Sequence, residues 1–554
     1  MVLTDERRAA APPRPRRPDP RTLALVAIVA TAFALRVVAV RHGLPHAYNP
    51  DEDLHYVPAA ARAADGDWST GYFENPAGFT HLLALCFLVV FGGQDVTALR
   101  VADPTAVFTV ARLVAVVLGT LTVALVHLAG KRYADRATGL VAAALLATAY
   151  LPVFYSHQAL NDVPAMAPTT VALIACLRVH QRGDLTGLLL AGAAVGVASG
   201  TKYLAAPMAL VIALALLLRV VERRSAVLPA LAGLGAAAAA SIAGLLALNP
   251  YAVVEPGRFV DDVTGQSARV GGEKLGQSGS AWLGYPATLL WGLGVAAVAF
   301  ALLGAVLLWR ADRARALLLV TFPVALYVAM AAQERYFGRW LLPAYPALAV
   351  LAGYGVVRVA RAVRSRTGPR AGLLATAGLL VALLAQPTVD AVRSDLLLTR
   401  TDTRADALAW TTGHVPPGSG IVVEPAVPGS YRRALRAAGL EIYPVQRPYE
   451  DYERTLSPAL LDDYRSAGYC WVMVNGHQRD RGRAAGLLDA GAYYDRLRRE
   501  STPAFAVSPY SAGATPPPFS YDLSFNYYPP AFRRPGPVVE VRRLVGCAGA
   551  PDPA

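Results

Sequence analysis

The sequence predicts a polytopic all-α membrane domain of about eleven transmembrane helices, followed by a small extracytoplasmic α/β domain. Three observations carry this. Of 554 residues, 55% are hydrophobic and only 16% charged, where a soluble domain carries about 25% charged residues. Apolar runs close to the ~20 residues needed to cross a bilayer recur through positions 22–390. From Thr401 onward short apolar strands alternate with amphipathic stretches instead. The net charge of +13 is not read as a nucleic-acid face, because Lys and Arg gather in alternate short loops, the positive-inside pattern of membrane proteins.

Residues 1–21 hold Arg7, Arg8, Arg14, Arg16, Arg17 and Arg21 among prolines and are expected to be a disordered cytosolic tail. The run Thr22 to Val40 is long enough to span. It lacks a small-residue cleavage site before polar sequence, which favours an uncleaved first helix over a signal peptide. Arg36, near its outer end, is expected to snorkel or to pair with an acid in the loop beyond. Segment 41–102 is the first outer loop. Its apolar stretch Gly78 to Phe91 is short, and charge parity makes it a juxtamembrane helix, since a span there would throw every later basic loop outside.

Ten further spans follow at about 104–130, 137–155, 162–178, 184–201, 204–221, 225–248, 284–309, 315–332, 341–358 and 371–388. Their inner connections carry Lys131, Arg132, Arg136, Arg178, Arg182, Arg219, Arg223, Arg224, Arg310, Arg313, Arg315 and the arginines from Arg358 to Arg370. The odd count places 391–554 outside. The expectation is a multi-pass protein of the plasma (inner) membrane, with domain 22–390 in the bilayer and a cytoplasmic N-terminus.

In the C-terminal part, Thr403 to Trp410 reads as a helix. Ile421 to Val423, Tyr469 to Val474 and Val538 to Leu544 read as strands, and Ser508 to Pro537 as a long surface loop. Cys86 and Cys176 lie in apolar runs and are expected to be inert. Cys470 and Cys547 could form a disulfide if that part lies outside the cytosol, but two cysteines alone do not establish the pairing.

Chemistry concentrates at the outer ends of the spans. Asn49-Pro50-Asp51-Glu52-Asp53 follows the first span. Asn161-Asp162, Lys202-Tyr203 and Gln333 to Trp340, with Arg335 and Arg339, lie on the same face. Each has a plainer reading. Asp51 and Asp162 could cap helices, Lys202 could snorkel, and Arg335 and Arg339 could pair with Glu334 and anionic lipid. Their agreement on one face favours a site. Sugar transfer from a lipid phosphate asks for a carboxylate base beside an acceptor hydroxyl and for preplaced cations where the leaving phosphate gains charge. Carboxylates from two loops, Asp51, Glu52 and Asp162, could also hold a divalent cation through oxygen ligands.

The order of these motifs resembles the GT-C glycosyltransferases, in the protein O-mannosyltransferase and aminoarabinose-transferase branch. The matching pieces are Asn49-Pro50-Asp51-Glu52, Asn75-Pro76, Ala98-Leu99-Arg100 with Ala111-Arg112-Leu113, Asn161-Asp162-Val163-Pro164, Gly200-Thr201-Lys202-Tyr203, Asn249-Pro250-Tyr251, and Arg335-Tyr336 through Pro343-Ala344-Tyr345-Pro346. The resemblance covers about residues 20–430. It implies a polyprenyl-phosphate-linked sugar as donor, drawn from the membrane lipid, and inverting transfer on the outer face.

Carried over, Asp51 is the catalytic base with Glu52 as its partner, and Asp162 is a second acid orienting the acceptor or a metal. Lys202, Arg335 and Arg339 would contact the donor phosphate, while His55, Tyr56, Tyr203 and Tyr336 would bind substrate. The branch's usual His-Pro-Pro is Glu74-Asn75-Pro76-Ala77 here, which leaves protein, lipid A and cell-wall glycan all open as acceptors. No cofactor is implied with certainty, a divalent metal being the one candidate.

Two other classes were weighed. A transporter or flippase of polyprenyl-linked glycans calls for interrupted helices and charges near mid-membrane, whereas the acids here lie at helix ends. A non-catalytic anchor for the C-terminal domain leaves the acidic loop unexplained.

Overall fold

The computed structural model describes residues 19–445, 449–522 and 527–547. The expected disordered tail falls on 1–21, of which only the last three residues lie within the described part. There Asp19 caps the helix Pro20–Val37 by accepting from the Arg21 N–H.

Eight helices among the described residues are long and apolar enough to cross a bilayer, and two bent pairs bring the number to ten. The expected eleven also counts the two helices Met166–Arg182 and Leu185–Thr201, which have 17 residues each. Gly78–Phe91 and Val96–Ala102, one of the bent pairs, meet at 80°. Together they have the length and apolarity of a broken span or a re-entrant loop, whereas the expected eleven leaves this pair out and counts the other. The last apolar helix, Pro369–Leu398, runs past the expected boundary at 390, and the C-terminal domain begins with the helix Thr403–His414.

Helices meet through small residues. A Cβ on Gly192 would collide with the Ala237 carbonyl, and one on Gly196 with that of Ser241. The helices Leu185–Thr201 and Val227–Leu248 are therefore in backbone contact. Close approach of this kind is how helices associate where lipid removes the hydrophobic drive between them.

Arg36 neither snorkels nor reaches an acid in the next loop. It is buried, and its guanidinium donates to the carbonyls of Ala32, Ala147 and Leu146, each at 3.0 Å. These three carbonyl acceptors take up Nη1 and Nη2, while the buried Nε has no hydrogen-bond partner among the described residues.

The C-terminal domain is built on a sheet of order β2-β1-β3-β5-β4, with β1 Gly420–Val423, β2 Glu441–Ile442, β3 Trp471–Asn475, β4 Ser501–Val507 and β5 Val539–Leu544. β1 lies parallel to β2 and β3, while β5 runs antiparallel to β3 and β4. Three of these strands match the expectation. β2 is too short to leave a pattern, and β4 carries Pro503 on an edge, where a missing N–H is tolerated.

Successive residues point to opposite faces. Ile421, Val423, Trp471 and Met473 pack beneath the helix Thr403–His414, and Val422, Val472 and Val474 pack against Tyr452, Tyr464 and Tyr493. The stretch 508–537 is irregular as expected, with residues 523–526 of it outside the described part. It is not merely a surface loop, because Tyr527 stacks on Trp291 and Phe532 is buried in the membrane-domain core.

Cys470 and Cys547 are joined by a disulfide that closes a separation of 77 residues. Removing it by a Cys470→Ala, Cys547→Ala double substitution is expected to lower domain stability by about 4 kcal/mol on the chain-entropy account. Unfolding of the wild-type and variant proteins followed by Trp471 fluorescence measures this.

This domain also contacts the segment that leads into Asp51. The Arg404 guanidinium lies 3.7 Å from the Tyr48 ring centroid, the imidazole of His46 is 3.0 Å from the Ser430 hydroxyl, and its ring meets that of Tyr431 at 5.5 Å.

Candidate active site

Asp51 opens a helical stretch whose first turn, Glu52–Tyr56, is a π-bulge running into the helix Val57–Ala64. The Asn49 carboxamide oxygen accepts from the Asp51 N–H (3.0 Å), and its amide donates to Gln158 (2.6 Å). π-Bulges redirect side chains and recur at functional sites. Here the bulge accompanies a split between two neighbouring acids.

Glu52 turns into the protein. Its two oxygens accept from Arg112 Nε and Nη2 at 2.7 and 2.8 Å, and Oε1 also accepts from the Ala159 N–H at 2.9 Å. The Glu52 and Arg112 side chains are 0% and 1% exposed. Arg112 Nη1 further donates to the carbonyls of Val40 and His42. This fork-to-fork pair staples the stretch that follows the first apolar helix to the helix Pro104–Tyr133. Glu52 thus stands in a scaffolding contact, with its carboxylate engaged away from Asp51's.

Asp51 turns the other way. Arg339 Nη2 lies 2.7 Å from its Oδ2. Arg339 Nε lies 3.8 Å from Asp162 Oδ2, and Lys202 Nζ lies 2.6 Å from Asp162 Oδ1. Lys202 also donates to the Asn161 carboxamide oxygen (3.2 Å), and the Asn161 amide donates to the Thr201 carbonyl (2.9 Å). Four chain segments thus deliver an alternating chain of charges, Asp51–Arg339–Asp162–Lys202. The Arg339 guanidinium stands over the rings of Phe337 (5.2 Å) and Tyr155 (5.9 Å), a placement that favours a delocalised cation.

Exposure divides the acids. The Asp51 side chain is 36% exposed and that of Asp162 is 3%. Burial pushes the Asp51 carboxyl up, but Arg339, His55 and Lys202 outweigh it and hold the group below its ordinary value. Lys202 is pushed below its ordinary value by burial, against the pull of Asp162.

The remaining expected residues separate. Tyr56 is buried against Phe79, within the field of Asp51 and Asp162, and its hydroxyl is pushed well up by burial. His55 faces Tyr72 at 5.3 Å and acts on Asp51 through charge. Tyr203 donates to the Phe73 carbonyl (3.0 Å), which ties it to the irregular stretch before the helix Gly78–Phe91.

Arg335 and Tyr336 are drawn to the segment around Gly272 and Ser278. Arg335 Nε donates to the Gly272 carbonyl, and the Tyr336 hydroxyl donates to that of Ser278. The chain is extended at Phe337 before the turn Gly338–Ala344, so Arg335 and Arg339 leave on different courses. Sequence reading missed Tyr155, Gln158 and the scaffolding task of Arg112. An arginine inside an apolar run was the available signal for the last.

Asp51, Glu52 and Asp162 each meet a cation of the chain, and among the described residues no group of three His, Cys, Asp or Glu is placed to hold an ion.

Residues 104–246 match the family model of dolichyl-phosphate-mannose-protein mannosyltransferase. No curated protein matches the sequence significantly. Among solved structures, ArnT from Cupriavidus metallidurans bound to undecaprenyl phosphate aligns with a TM-score of 0.53 at 15% identity, covering 96% of this chain and 99% of that one. The oligosaccharyltransferase of Archaeoglobus fulgidus in the apo form aligns at 0.55 and 13% identity, covering 91% and 75%. The same archaeal enzyme, AglB, in complex with an inhibitory peptide and a dolichol-phosphate aligns at 0.54 and 12%, covering 89% and 73%. In complex with Zn and sulfate it aligns at 0.50 and 13%, covering 88% and 72%. The chain shares its overall fold with the ArnT and oligosaccharyltransferase structures, and the segment matched by the mannosyltransferase family model lies in its first half.

Proposed function

We propose that this protein transfers a sugar from a polyprenyl-phosphate donor to a hydroxyl acceptor at the outer face of the membrane, with inversion. The observation that carries the reading is the charge chain Asp51–Arg339–Asp162–Lys202 at the ends of apolar helices, with Asp51 alone left open. The lipid phosphates bound to ArnT and AglB on the same fold support the donor class. The Cys470–Cys547 disulfide supports an oxidising, extracytoplasmic setting for the C-terminal domain.

Asp51 is half-exposed and ionised, so it accepts the proton of the acceptor hydroxyl as that oxygen attacks the anomeric carbon. The bond to the donor phosphate breaks, and the phosphate takes the electron pair. Arg339 and Lys202 meet its growing charge from positions fixed beforehand. One displacement with one base inverts the anomeric centre. Asp162 is too buried to meet an acceptor. Its task is to hold the two cations in place, including Arg339 while the phosphate competes with Asp51 for it.

The test is release of free polyprenyl phosphate from a panel of polyprenyl-phosphate sugars by membranes containing the protein. Wild type is expected to turn over one donor. Arg339→Gln is expected to lose ~100-fold or more in kcat/KM, the scale on which removal of one preorganised donor acts. No turnover of any donor by the wild type would overturn the proposal.

A further inference from the structure

The chain reaches its own site from its far end. Gly338, the residue before Arg339, donates its backbone N–H to both carboxylate oxygens of Asp522, at 3.0 and 3.3 Å, across a sequence separation of 184 residues. Asp522 is 7% exposed. Beside it the Tyr521 hydroxyl donates to the Leu275 carbonyl at 2.8 Å. The Tyr521 ring meets Phe337 at 5.7 Å, and the Lys274 ammonium stands over both rings, at 5.0 and 5.4 Å. Phe337 is also the ring over which the Arg339 guanidinium sits. Three separate segments, namely the segment around Gly272 and Ser278, the arm from the C-terminal domain and the start of the Gly338–Ala344 turn, close on one another around the peptide that aims Arg339.

That turn has no side-chain cap of its own, with Phe337 in extended backbone before it. The first N–H groups of a helical turn need acceptors, and a carboxylate there makes a charge-assisted bond. Gly338 has no room for a side chain, since a Cβ would collide with Thr288. The peptide is thus held from both sides, by packing on Thr288 and by the Asp522 carboxylate.

We infer that Asp522 is a positioning residue for Arg339, and that the arm from the C-terminal domain thereby sets how well the lipid-phosphate donor is held. This rests on the donor-phosphate role proposed above for Arg339. The domain that the sequence marks only as an appendage would then tune donor capture without touching the sugar or the acceptor.

The experiment measures hydrogen exchange of the segment 335–342 and donor kinetics in parallel, on full-length protein in nanodiscs. Asp522→Ala is expected to raise exchange in that segment and to raise the donor KM by about 10-fold or more, the scale of a lost bond to a charged group, with kcat within about threefold. Asp522→Asn keeps an oxygen acceptor and is expected to fall between Asp522→Ala and wild type on both readouts. Unchanged exchange and unchanged KM in Asp522→Ala overturn the inference, as does a loss confined to kcat.

Should Asp522→Ala fail to fold, Asp522→Asn and Tyr521→Phe carry the test. Tyr521→Phe removes the hydroxyl that bonds to Leu275 and keeps the ring, and the same ordered rise in exchange and KM is expected on a smaller scale. Raised exchange in a protein whose wild type turns over no donor keeps the structural coupling and removes the donor reading beneath it, so the two failures are distinct.

Discussion

Replacing Asp51 with Asn is expected to lower polyprenyl-phosphate release by at least ~100-fold, the lower end of what loss of a general base costs, while the protein keeps its fold. The substitution is nearly isosteric and leaves an oxygen for the Arg339 bond, so thermal unfolding in detergent should move little. The pH profile gives an independent check. Burial raises the Asp51 carboxyl, but Arg339, His55 and Lys202 hold it below its ordinary value. A base acts when ionised, so activity is fully present above that lowered pKa and is lost as pH falls through it. The acid limb of kcat/KM is therefore expected below about pH 4, the unperturbed carboxylate value. In Arg339→Gln the largest opposing charge is gone, and the limb is expected to move up in pH. A limb that stays put in that variant would place the base elsewhere, and turnover unchanged in Asp51→Asn would do the same.

The second large effect is structural. Arg112→Ala is expected to leave little folded protein. It strands the Glu52 carboxylate in a site with no exposure, and breaking one side of a buried pair costs about 3–5 kcal/mol. A domain's whole stability is only about 5–15 kcal/mol. The fraction recovered as a monodisperse peak after detergent extraction measures this. A Glu52→Leu, Arg112→Met double substitution removes both charges at similar volume and is expected to restore a large part of that peak. Glu52→Gln separates scaffold from chemistry. With a scaffolding role, turnover per folded molecule stays within a few-fold of wild type. A folded variant without turnover would return Glu52 to the proton path.

The sequence made much of this legible, for a physical reason. Charges are scarce in a chain built for lipid, so each one at the outer end of a span stands out, and Asp51, Asp162, Lys202 and Arg339 do converge. Neighbours in sequence were harder to separate. Asp51 and Glu52 adjoin yet serve opposite faces of a π-bulge, and Arg335 and Arg339 are parted by an extended residue before a tight turn. Both divisions depend on backbone irregularities that no periodic pattern announces. The Glu52–Arg112 pair is invisible to local reading because its halves lie 60 residues apart. Asp522 was hidden for a related reason. It lies in a stretch rich in Pro, Tyr, Ser and Gly, whose composition speaks of a loop and says nothing about where the loop docks.

The separation between Asp51 and Arg339 also sets a clock on biosynthesis. They stand 288 residues apart. At ~5–20 residues per second, synthesis needs roughly 15–60 s to bring the second to the first. During that interval Asp51 has Lys202 but not the guanidinium that stands against its carboxylate. The charge chain is completed only when most of the apolar helices have been made. Truncated products ending before residue 339 carry Asp51, Asp162 and Lys202 without the cation that links the two acids.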